Sequence, residues 1–208
     1  MMNNIQEIEQ EQEINTNVNN NENNRIGSQT APSNDSEKRD IGDEGYWSLS
    51  SSKVGNGIEQ LRDNNLSTFW QSDDIQPHFI LIQYPKKVRI NEIWLYLDYK
   101  TDESYTPSKI AIRIENSFNE MVDIKIIDYE EPVGWFKINL EDKNSDSKTI
   151  KPYIKTMTLQ IMILQNTHNG RDTHIRGVKI FAPRQNKSFD MTFPKFENNE
   201  YTQYQELR

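Results

Sequence analysis

The clearest pattern in the chain is a strict alternation of apolar and polar positions. In KIAIRIE, Lys109 to Glu115, the isoleucines 110, 112 and 114 fall on one side and Lys109, Arg113 and Glu115 on the other. That period of two predicts a half-buried strand. Runs of the same kind recur. HFILIQY covers 78–84 and is ended by Pro85. NEIWLYLDY covers 91–99, VDIKIIDY 122–129 and WFKINL 135–140. TMTLQIMIL covers 156–164 and IRGVKIF 175–181, with Pro183 closing the last strand. Strands of this length, separated by turn residues and not by long helices, predict an all-β antiparallel sandwich. One short helix is expected in GIEQLRDNN, after Gly57. Each fully buried Ile, Leu or Val of such a core contributes about 1.5–3 kcal/mol.

The alternation does not run the length of the chain. Residues 1–38 are dominated by Asn, Gln, Glu and Ser and contain no aromatic residue. A segment of this kind buries too little apolar surface to offset its conformational entropy, so a disordered leader is expected. All four tryptophans lie between Trp47 and Trp135. The expected folded unit is 39–183, followed by a C-terminal extension, 184–208, with aromatics but no stable period.

Composition narrows the chemistry. The net charge is −8, which argues against general nucleic-acid binding, where clustered cations must displace phosphate counterions. There is no cysteine, so disulfides, thiol nucleophiles and thiolate metal sites are removed together. No apolar run approaches the ~20 residues of a membrane helix, and the leader lacks the basic and apolar parts of a secretory signal, so an intracellular chain is expected. His78, His168 and His174 are the only histidines, and their spacing fits no zinc motif. No nucleophile elbow, phosphate loop or dinucleotide fingerprint occurs. Neither a catalytic residue nor a metal or other cofactor is expected.

Three polar stretches are denser than turns require: QSDDIQPH (71–78), YKTDESYTPS (99–108) and NTHNGRDTH (166–174). In a jelly-roll sandwich such connections can gather at one end as a shallow polar cup. Each also has a plain structural use as a turn, a backbone corner or a scaffold ion pair. Taken together they favour a binding site over an active site.

The stretches YWSLSSSKVGNGIEQLRDNNLSTFWQSDDIQPHFI, DYKTDESYTPSKI and NGRDTHIRGVKIFAP closely resemble the Doc domain, in the form carried by the subunit-ten family of the anaphase-promoting complex, the large ubiquitin ligase of mitosis. The resemblance runs from about Asp40 to Pro183. It implies a galactose-binding-like β-sandwich and a non-catalytic role in substrate recognition and processivity. With a WD-repeat coactivator, the domain would form a co-receptor for the destruction box of cell-cycle substrates such as cyclins, in the nucleus and cytoplasm. Ser104 and Asn169 match positions associated with degron recognition. Asp102, Tyr105, Arg171, Asp172 and His174 belong to the same motifs. Leu207 and Arg208 correspond to the family's Ile-Arg ending, which docks in a tetratricopeptide-repeat subunit of the complex. Two other readings stay open: a carbohydrate-binding module of the discoidin type, and a pure scaffold whose loops are only structural.

Overall fold

A computed structural model describes residues 25–115, 120–142 and 151–184. Residues 1–24 and the pair Leu207 and Arg208 lie outside this description. The strands are β1 (Lys38–Asp40), β2 (Tyr46–Leu49), β3 (Trp70–Gln71), β4 (His78–Ile90), β5 (Glu92–Asp98), β6 (Pro107–Glu115), β7 (Met121–Asp128), β8 (Val133–Asn139), β9 (Ile154–Asn166), β10 (His174–Ile175) and β11 (Gly177–Pro183). They form a four-stranded sheet ordered β1-β11-β5-β8 and a five-stranded sheet ordered β2-β4-β9-β6-β7, with β10 pairing β3 separately. Every named strand pair is antiparallel.

The inner faces follow the alternation. Ile80 and Ile82, Ile110 and Ile112, and Leu159, Ile161 and Ile163 come from the larger sheet, and Ile93, Leu95, Leu97, Phe136, Ile138 and Ile180 from the smaller. Together they make one contiguous buried cluster, the sandwich layer expected of two half-apolar sheets. The expected helix is present as Ile58–Arg62, where the Gly57 N–H donates to Gln60 Oε1 at 2.9 Å.

Two expectations need correcting. Pro85 does not end its strand: β4 runs on to Ile90. Its pairing with β9 is interrupted between Gln83 and Val88. A residue without an N–H fits at such a bulge, where no ladder hydrogen bond is asked of it. The second is the start of the folded unit, which precedes residue 38. Ile26 bridges Val133 and Ser28 bridges Trp135 on the outer edge of β8. Four backbone hydrogen bonds of 2.8–3.0 Å join residues 25–28 to Val133 and Trp135. A bare sheet edge offers unpaired donors and acceptors, and the end of the leader takes them up. The crossing needs glycine: a Cβ on Gly27 would stand 2.6 Å from the Trp135 carbonyl oxygen.

Candidate functional site

The chain leaves β5 through a helical turn, Tyr99–Asp102, and a tighter one, Glu103–Tyr105, before Pro107 opens β6. It leaves β9 through a similar turn, Thr167–Asn169. These two connections are stapled together. The Thr167 N–H donates to the Thr106 carbonyl at 2.9 Å, and its hydroxyl donates to the carbonyls of Glu103 and Thr106. Gly170 then lies flat against the neighbouring turn. A Cβ there would sit 1.9 Å from the Ser104 carbonyl oxygen, so only glycine permits this approach. Ser104, half-buried, and Asn169, exposed, are thereby held on one rim. The turns are conformationally costly: Glu103, His168 and Asn169 all have positive φ, at 46°, 52° and 56°.

The third polar loop, from β3 to β4, joins the same rim. Ser72 and Thr173 exchange two hydrogen bonds, Ser72 N–H to the Thr173 carbonyl at 3.2 Å and Thr173 N–H to Ser72 Oγ at 2.9 Å. Gln76 Nε2 donates to the carbonyls of Gly170 and Arg171, at 2.8 and 3.0 Å. From below, His78 Nε2 donates to the Arg171 carbonyl at 2.6 Å, and Asn166 Nδ2 to those of Gly170 and Asp172. The 170–173 segment is thus tethered on two sides and from beneath. An open groove beside Asn169 is lined by Tyr99, Glu131, Gln165 and His168.

Asp102 and His174 do not face the rim surface. Asp102 is 5% exposed. Its carboxylate takes two hydrogen bonds from Arg176, at 2.6 and 2.7 Å, and one from His174 Nδ1 at 3.0 Å. Burial pushes this carboxyl upward, but the hydrogen bonds from His174 and Arg176 and their charges outweigh it, holding it below the usual carboxylate range. Arg176 also donates to the Leu66 carbonyl at 2.8 Å. The His174 ring is stacked between Phe69, 4.1 Å away, and Tyr105, 4.3 Å away. Both side chains, expected among the ligand contacts, are buried here and hold other residues in place. The buried His174 Nε2 has no hydrogen-bond partner among the described residues. Among the described residues, no group of three His, Asp or Glu side chains is placed to hold a metal.

The remaining members of the motifs stand where a ligand can reach them. Tyr105 is 39% exposed, Arg171 is exposed and Asp172 half-buried. Sequence reasoning missed Arg176, Gln76 and Asn166, which set the rim. Gln76 and Asn166 lie inside two of the dense polar stretches, and Arg176 is a cation at the second position of the otherwise mostly apolar run IRGVKIF.

The sandwich and its rim can be set beside known proteins. A family model described as anaphase-promoting complex, subunit 10 (APC10) matches residues 10–206. The chain is 45% identical over 171 residues to anaphase-promoting complex subunit 10 of Dictyostelium discoideum, covering 82% of this chain and 87% of that protein. Against the Homo sapiens protein of the same name it is 43% identical over 170 residues, covering 82% and 88%. Among solved structures it is similar to the family 32 CBM from C. perfringens NanJ in complex with galactose. There the TM-score is 0.55 at 15% identity, over 69% of this chain and 98% of that one. A second similar structure is CpGH89CBM32-5 from Clostridium perfringens in complex with GalNAc-beta-1,3-galactose, with a TM-score of 0.55 at 12% identity, over 69% and 99%. At such identities the likeness is one of fold, a galactose-binding-like β-sandwich. The sequence matches go further: this chain belongs to the anaphase-promoting complex subunit 10 family, a non-catalytic subunit of that ubiquitin ligase.

Proposed function

We propose that the rim is a degron co-receptor: Ser104 and Asn169, with Tyr105, Arg171 and Asp172 around them, hold part of a destruction box while a WD-repeat coactivator holds the rest. The observation that carries this is the close approach of Gly170 to the Ser104 carbonyl, which makes one surface of two loops 65 residues apart in the chain. A peptide lying there meets a hydroxyl, an amide and backbone groups whose positions are already set.

Energetics explain why such a surface works in partnership. A hydrogen bond contributes about 0.5–1.5 kcal/mol net. Micromolar affinity needs about 8 kcal/mol. A few such bonds to a flexible peptide, which loses entropy on ordering, do not reach it. Once the coactivator holds the neighbouring part of the degron, the same contacts become intramolecular and slow its release. Longer residence allows more ubiquitins per encounter, which is processivity without bond chemistry in this subunit. The same reading gives Leu207 and Arg208 the role of docking in a tetratricopeptide-repeat subunit, through an apolar side chain and a guanidinium. It sets the protein to work on cell-cycle substrates in nucleus and cytoplasm.

The test is made in the assembled ligase. Ser104→Ala combined with Asn169→Ala should shorten the ubiquitin chains added per substrate encounter, with subunit assembly intact. Chains of unchanged length on an intact complex would refute the assignment.

A further inference from the structure

The open groove beside Asn169 carries charge of one sign. The turn from β7 to β8 brings Glu130 and Glu131 into its lining, together with Tyr99 and His168. No Lys or Arg is among the residues that line it. The turn is pinned by its backbone. The Tyr129 N–H donates to the Ser108 carbonyl at 2.7 Å, the Tyr99 N–H to the Pro132 carbonyl at 2.8 Å, and the Val133 N–H to the Arg25 carbonyl at 3.0 Å. Between these ties Glu131 has a φ of 48°, a left-handed conformation that is costly for a glutamate. Glu131 is exposed and makes no hydrogen bond or ion pair among the described residues. Asn166, only 1% exposed, belongs to the same lining, and its Oδ1 also has no partner among the described residues.

The neighbouring acid shows what such a wall takes. Glu130 is ion-paired with the guanidinium of Arg25, whose backbone is bonded to β8. One cation of this chain therefore stands on two carboxylates, and one negative charge is left over at Glu131. The residues that precede Arg25 are poor candidates to balance it. Positions 1–24 contain glutamates and no Lys or Arg, and like charges repel. Tyr99 adds a second attraction for a cation. Its hydroxyl shares a hydrogen bond with His168 Nε2 at 2.9 Å, which fixes the ring, and the face of an aromatic ring attracts positive charge. A guanidinium suits this combination better than an ammonium, because it is planar, weakly hydrated and able to meet a carboxylate and a ring together.

We propose that this groove receives a cationic side chain of the bound peptide, arginine before lysine, with Glu131 as its ionic partner and Tyr99 as the ring beside it. This rests on the degron reading above and narrows its ligand class. Asn169 lines the same groove, so the basic residue lies within a few positions of the one that meets Ser104 and Asn169. Glu131 is then a specificity residue, and Arg25 is the internal counter-ion that leaves room for a single cation. A neutral sugar would leave the Glu131 charge unbalanced, so a glycan is the poorer fit.

The probe is a set of fluorescent cyclin destruction-box peptides on the assembled ligase with its coactivator, read as residence time. Arg and Glu are placed in turn at each position of the peptide. At one position the unaltered ligase should hold the Arg peptide about three- to tenfold longer than the Glu peptide, the range for gaining one partly exposed ion pair and avoiding one repulsion. Glu131→Gln should abolish that preference and Glu131→Lys should reverse it, with other positions unchanged, the signature of a direct pair. Glu131 is exposed, so thermal unfolding of both variants should match the unaltered protein. The proposal fails if no position prefers Arg, or if the preference persists in Glu131→Lys, while Ser104→Ala and Asn169→Ala still shorten residence; the degron reading then survives. It fails together with that reading if those two variants also behave as the unaltered protein. Equal residence of Arg and Glu peptides, with a gain for both on deletion of residues 1–24, would give the groove to the leader and overturn it as well.

Discussion

Strand β9 passes through two different environments within a few residues. At Ile161 and Ile163 it lies in the layer between the sheets, where neighbouring side chains are aliphatic and satisfy nothing but space. Three residues on, at Asn166, it enters the rim, where side-chain amides, hydroxyls and imidazoles hold backbone carbonyls one by one. The interior tolerates exchange of one apolar shape for another of similar volume. The rim does not, because each bond there has a direction and needs a particular donor and acceptor. Among the described residues, His78 Nδ1, Thr106 Oγ1, Asn166 Oδ1 and His174 Nε2 are buried there without a protein partner, as Tyr84 Oη, Asn91 Oδ1 and Trp135 Nε1 are elsewhere. Packing builds the scaffold, and directed polar contacts aim the loops.

Three experiments sharpen this contrast. The largest effect should come from Asp102→Ala, which strands a buried guanidinium and an imidazole. Removing one partner of a buried ion pair costs about 3–5 kcal/mol. Urea unfolding should show that loss, and Tyr105 should lose its fixed position with it. A loss below about 1 kcal/mol would mean that the rim is held by packing alone. Gly170→Ala should act next. Its methyl group meets the Ser104 carbonyl, so the two turns must part, at about 1–3 kcal/mol. Ubiquitin chains should shorten while assembly persists. Normal processivity would show that the Ser104–Asn169 distance is unimportant.

The smallest effect is on acidification. The Asp102 carboxyl is held below its ordinary range in the fold. Its share of the stability is present above the unfolded pKa of about 3.9 and disappears as pH falls through the lower folded value. Thermal unfolding followed from pH 7 down to pH 3 should show this component in the unaltered chain. In Asp102→Asn it should be missing.

Much of the architecture was legible because alternation is a local signal. Ile110 and Ile112 announce a buried face whatever else the chain contains, and seven strand runs could be read this way. Short elements without a period, such as β1, β3 and β10, could not, since they exist only where a neighbour pairs them. Pro85 misled for the same reason: whether a proline ends a strand or occupies a bulge depends on the partner strand. At the site, the motif residues Ser104, Asn169, Asp102 and His174 were all visible, but not their division of labour. Asp102 and Ser104 are two residues apart in one polar stretch, yet one is sealed behind an aromatic column and the other reaches the rim.

The sequence by itself determined that this chain is an antiparallel sandwich with three polar loops, because apolar periodicity and turn chemistry act over a few residues. Only the tertiary structure decided which loops meet, that Gly170 seats Asn169 beside Ser104, and that Arg176 removes Asp102 from solvent. Those outcomes depend on contacts between residues 61 to 110 positions apart, whose pairing no local pattern encodes.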